Sequence, residues 1–133
     1  MPRRILASLL WSALLGWCAA ILWLSSLSPG ELPSAAFLTW DKFNHFIAFA
    51  VGGWLTATAL RTSRPGTRVV RPLILAIVLV SAFGALDELL QLYTPGRTGA
   101  DFQDWIADSL GAIAGAIFSL LTHARLDRLI PRP

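Results

Sequence analysis

His45, Glu88 and Asp108 are the residues of this sequence best suited to proton transfer or ligand binding. Each is ionisable, and each stands inside an otherwise apolar stretch. Ionisable groups inside membrane-length apolar segments are costly and usually functional. His45 or Glu88 suits a general acid or base, with Asp108 completing a catalytic trio. Around them stand Gln91, Arg97 and Asp104, and then Asp41, Lys42, Asp87 and Asp101, as candidate ligand-binding residues. The fork of Arg97 fits a carboxylate, whether Glu88, Asp101 or Asp104, and fits a phosphate on a ligand equally well. Glu88, Asp104 and Asp108 could offer hard oxygen ligands to a divalent metal. No spacing matches a defined metal motif, so the sequence leaves metal and cofactor unknown. Asp41 and Asp104 also suit helix N-caps.

The spacing of these residues says which elements must hold them. Asp41, His45, Ala48 and Gly52 are separated by four, three and four positions, which is one face of a helix. Ser81, Gly84, Glu88 and Gln91 make a second such face, with Asp87 beside it. Asp104, Asp108, Gly111 and Gly115 make a third. On each face the polar residues lie toward one end and the small residues deeper in. Small residues let helices approach closely in lipid. The three acid-bearing faces should therefore meet, with their carboxylates pointing into a bundle. His45, Glu88 and Asp108 fall about one turn, roughly 5 Å, inside their helix ends.

The chain of 133 residues suggests one domain, 1–133. It is 55% hydrophobic and only 14% charged, against about 25% charged in a soluble domain, so lipid is the expected surroundings. Four apolar stretches, at about 5–27, 43–60, 72–92 and 105–122, approach the roughly 20 residues that a membrane helix needs. The first follows Arg3 and Arg4 as a secretory signal would. It is longer than a signal core and has no clear cleavage site, so it reads as a retained helix. It carries no ionisable residue and is expected to serve as a wall. The expected fold is all-α: a polytopic membrane protein with four transmembrane helices in a compact bundle.

The bases set the expected orientation. Nine of eleven, including Arg61, Arg64, Arg68, Arg71 and Arg125, cluster at alternate span ends. By the positive-inside rule both termini and the 61–71 connection face the cytoplasm. The net charge of +3 is thus a matter of topology, and no nucleic-acid partner is expected. Trp40 and Trp105 fall at the opposite, outer boundary, where amphipathic rings settle. Cys18 is the single cysteine, so no internal disulfide can form. The connection "YTPGRTGADFQD" has turn chemistry in Thr94-Pro95-Gly96 and Gly99.

Three segments together, "DKFNHFIAF" at 41–49, "DELLQLYTPGR" at 87–97 and "DWIADSLGAIAG" at 104–115, resemble the VanZ-like family of bacterial membrane proteins. The resemblance covers about three of the four helices. It implies a multi-pass protein of the bacterial cytoplasmic membrane, with a cell-envelope role of the kind that gives the family its link to teicoplanin resistance. Asp108 departs from the pattern, since many members carry asparagine there. The implied partners are membrane lipids and a lipid-linked envelope ligand. Three functional classes follow: an enzyme at the outer leaflet, a non-catalytic binding protein or scaffold, and a small-solute transporter. The transporter is disfavoured by stretches such as "GGWLTATAL" and "LILAIVLV", which offer no ionisable path toward the inner side.

Overall fold

The computed structural model describes residues 2–32 and 41–129, without the side chains of 127–129. Trp40, expected at a membrane boundary, lies outside them. The described residues form four α-helices: α1 (Arg3–Ser26), α2 (Asp41–Ser63), α3 (Val70–Gln91) and α4 (Phe102–Leu129). A single 3-10 turn, Pro29–Glu31, follows α1. Each helix has 22 residues or more, which at about 1.5 Å per residue spans a hydrocarbon layer of about 30 Å. All four are apolar enough to cross a membrane. The expected all-helical bundle is what forms.

Helix ends run past the apolar windows. α2 continues through Arg61 to Ser63, and α4 continues seven residues beyond Thr122 to Leu129. Hydropathy marks where lipid ends, whereas the backbone ladder continues until something breaks it. Pro72 sits in the first turn of α3, where its missing N–H costs little.

The bundle is inverted relative to a soluble one. Leu15, Trp23, Val78, Ile117 and Leu121 face outward, while Thr58, Asp87, Asp108 and Ser119 are fully buried. α2 packs on all three other helices, most extensively on α4, and α1 meets α2 and α3 but not α4 among the described residues. Glycine permits the α2–α4 approach. A Cβ on Gly111 would run into the carbonyl oxygen of Phe46, and one on Gly115 into that of Ala50. Gly53 makes the reciprocal approach to the backbone of Ala112. This is the small-residue seam expected from the sequence. Trp17, Phe49 and Phe83 then form an aromatic layer, with Trp17 edge-on to Phe49 at 5.4 Å, packed against Ile21, Val80 and Ala112.

Candidate functional site

Glu88 organises the polar end of the bundle. Its main-chain oxygen accepts from Ala100 N–H at 2.8 Å, and its Oε2 accepts from Asp101 N–H at 2.9 Å. The α3–α4 connection is thereby folded back over the end of α3. Gly96, Gly99 and Ala100 take positive φ in this turn. Gly99 also passes so close to α3 that a Cβ would come within 2.5 Å of Leu92 N. Both constraints favour glycine there.

Asp101 begins α4. Its main-chain oxygen accepts from Trp105 N–H and its Oδ1 accepts from Gln103 N–H at 2.8 Å. The N-cap expected of Asp104 thus belongs to Asp101. The Gln103 N–H, followed by the ammonium of Lys42, holds the Asp101 carboxyl below its ordinary value of 3.8. Asp104 is buried one turn on and receives Lys42 Nζ at 2.7 Å, with Asp101 Oδ2 at 3.7 Å from the same ammonium.

Deeper in, His45 Nδ1 lies 2.9 Å from Asp108 Oδ1 and 4.0 Å from Glu88 Oε1. Asp41, exposed at the start of α2, stands 3.8 Å from the other ring nitrogen. Asp108 is fully buried, and among the described residues its Oδ2 has no hydrogen-bond partner. The three catalytic candidates thus come together from three helices. The metal grouping differs from expectation: His45, Glu88 and Asp108 bring ligand atoms within 4.8 Å of one another, while Asp104 groups instead with Asp41 and His45.

Asp87 occupies a separate buried position. Its Oδ2 accepts from Ser25 Oγ at 2.8 Å and from Gln91 Nε2 at 3.1 Å. Ser25 was not anticipated; α1 supplies a polar group to the site as well as a wall. The signal was present in the serines closing "WLSSLS". Arg97 also departs from expectation. It donates to the main-chain oxygens of Leu27 and Leu24, each at 3.0 Å, and to Gln91 Oε1 at 3.1 Å. Among the described residues it pairs with no carboxylate. The last carbonyls of a helix lack intrahelical donors and carry partial negative charge, so they compete well for a guanidinium. Thr94 adds a bond to Ser25 O at 3.0 Å.

A cavity of about 220 Å³ opens beside these groups. Its polar lining includes His45, Asp87, Gln91 and Arg97, and its apolar lining includes Leu24 and Phe49. Trp105, placed at a boundary by the sequence, donates its indole N–H to Ser81 O at 3.0 Å, tying α4 to α3.

A second polar region at the far end of the bundle went unanticipated. His123 is buried there, as are Thr58, Thr62 and Ser119, and Arg61 reaches Ser119 O at 3.4 Å. His123 lies one residue beyond the fourth apolar window, which is why hydropathy passed over it. The aromatic layer and the small residues of the seam separate it from the acidic end.

No curated protein and no solved structure matches this chain. A family model described as VanZ/LLP1 matches residues 6–123, all but the two ends of the bundle, and the chain belongs to the VanZ/LLP1 family.

Proposed function

We propose that this multi-pass protein acts in the cell envelope by binding a headgroup-sized part of an envelope lipid or peptide-like ligand in the cavity at its acidic end. One observation carries the reading: the cavity is lined by both ionisable and apolar side chains. His45, Asp87 and Gln91 contribute the polar part of its lining, and Leu24 and Phe49 the apolar part. An amphiphile has that same division. At about 220 Å³ the cavity is below the roughly 300–1,000 Å³ of drug-sized sites, so it suits a headgroup or short polar moiety. His45 and Glu88 would supply acid–base chemistry if the ligand is turned over. Arg97 is committed at three of its N–H groups and would offer a phosphate only its remaining donors. By the positive-inside rule the cavity opens outward, from a bacterial cytoplasmic membrane with both termini inside.

Transport is the weaker reading. The acidic end and the His123 region are separated by Phe49, Val80, Ala112 and Ala116, all buried and apolar.

The test is glycopeptide and lipopeptide susceptibility in cells making matched amounts of wild type, Glu88→Gln or Asp87→Asn. Each swap removes charge and keeps shape. A shift with wild type that both Glu88→Gln and Asp87→Asn abolish supports the cavity reading, since Asp87 lines the cavity and Glu88 stands beside it. Equal shifts would make Glu88 structural, and no shift with wild type would remove the resistance role.

A further inference from the structure

We propose that His45, Glu88 and Asp108 form a binding site for a first-row divalent cation, zinc or manganese, held between α2, α3 and α4. One ligand atom of each lies within 4.8 Å of the others. Ligands about 2.1 Å from a tetrahedral metal stand roughly 3.4 Å apart, so the 2.9 Å hydrogen-bonded pair His45 Nδ1 and Asp108 Oδ1 needs to open by only about 0.5 Å to take an ion between them. The 4.0 Å from Nδ1 to Glu88 Oε1 closes to that spacing with a side-chain shift of about 0.6 Å.

A second observation points the same way. Asp108 is completely buried, and among the described residues its Oδ2 accepts no hydrogen bond. An acceptor left without a partner in a dry interior is costly. This oxygen faces α3 at Gly84, one turn before Glu88, where a Cβ would approach it to 2.8 Å. Glu88 also keeps lone pairs in hand. Its Oε2 is engaged by Asp101 N–H, while among the described residues Oε1 takes only the 3.4 Å hydrogen bond from Gln91.

Charge supplies the third argument. Asp87, Glu88 and Asp108 are all buried, and His45 is the base among them. Lys42 is held by Asp104, and Arg97 by the end of α1. Buried like charges need compensation. A divalent ion on a neutral imidazole and two carboxylates makes a neutral set. One nitrogen with two oxygens suits zinc or manganese, whereas calcium and magnesium prefer all-oxygen ligands. The alternative grouping of Asp41, His45 and Asp104 is a poorer host. Its Asp104 already holds an ammonium at 2.7 Å, and its Asp41 is exposed.

The experiment uses the full chain in detergent, stripped with a chelator and dialysed against zinc or manganese separately. Bound metal is measured by mass spectrometry for wild type, Glu88→Gln, Asp108→Asn and Asp104→Asn, with helical circular dichroism as the folding control. Wild type should take up about one ion per chain, as a three-ligand site would. Glu88→Gln and Asp108→Asn should bind at least about 100-fold more weakly, and Asp104→Asn unchanged. If Asp108→Asn does not fold, Glu88→Gln decides alone, since its amide oxygen can still accept from Asp101 N–H. Uptake of neither ion by wild type overturns the proposal, as does equal binding by Glu88→Gln. A larger loss in Asp104→Asn than in Glu88→Gln would move the ion to the grouping of Asp41, His45 and Asp104 and overturn it as well. No envelope ligand enters this measurement, so its outcome is independent of what the cavity binds.

Discussion

Gln91 accepts from Arg97 through Oε1 at 3.1 Å, and this one amide joins the arginine of the α3–α4 connection to the buried acids. The opposite end of the amide, Nε2, donates to Asp87 at 3.1 Å and lies 3.4 Å from Glu88. A neutral side chain therefore mediates between a cation and two carboxylates that do not touch it. Gln91→Leu keeps the bulk and removes every one of these bonds. It should cost about 1–3 kcal/mol, the usual penalty for buried polar groups left without partners. Denaturation in detergent measures it, and an unchanged midpoint would show that the relay contributes nothing.

Arg97→Lys tests the capping of α1. A lysine keeps the charge but cannot reach Leu24 O, Leu27 O and Gln91 in one planar fork. The last turn of α1 should loosen, with faster proteolysis near Leu27 and a loss of about 1–2 kcal/mol. If Arg97 acted through charge alone, Arg97→Lys would match wild type.

Two glycines should respond in opposite directions. Gly115→Leu forces a side chain into the backbone of Ala50 and should cost about 3 kcal/mol or prevent folding. Gly16→Ala meets nothing within 4 Å and should gain up to about 1 kcal/mol from helix propensity. Equal effects at the two positions would contradict the α2–α4 seam.

Acid should act on the cap of α4. The Asp101 carboxyl is held below its ordinary value of 3.8 by Gln103 N–H and by Lys42. A depressed folded-state value means that its contribution is complete above the unfolded value and is lost as pH falls through the lower folded one. Wild type should therefore exceed Asp101→Asn in stability at neutral pH, and the gap should close on the acid side of 3.8. A gap independent of pH would assign the effect to cap geometry alone.

Orientation is checked by labelling. With Cys18 replaced by serine, cysteines at exposed Thr98 and exposed Pro65 mark opposite ends of the bundle. A membrane-impermeant thiol reagent added outside cells should modify the first and spare the second. The reverse pattern would invert the protein in its membrane.

The periodic signals were legible in the sequence because they repeat. Three helix faces, each with acids at one end and glycine or alanine deeper, led to the seam of Gly111 and Gly115 and to the meeting of His45, Glu88 and Asp108. Single-residue choices were not legible. Arg97 had several acids within sequence reach, yet helix-end carbonyls took it, and those carbonyls leave no mark in residue identity. Asp101 and Asp104 both suit a cap, and the backbone turn at Gly99 and Ala100 decided between them. Ser25 and His123 lay at or beyond the edges of apolar windows, where a scale built on averages gives no weight to one buried side chain.

The bonds between α2 and α4 join residues far apart in the chain, with 62 positions between Lys42 and Asp104 and 63 between His45 and Asp108. A ribosome adding about 5–20 residues each second needs roughly 3–13 seconds to supply those partners. For that interval Lys42 and His45 have entered the membrane with α2 while the acids that hold them do not yet exist. The insertion machinery, or water at the membrane face, must shelter that end of α2 until α4 arrives. The order of synthesis therefore sets when the acidic end of this bundle can first close.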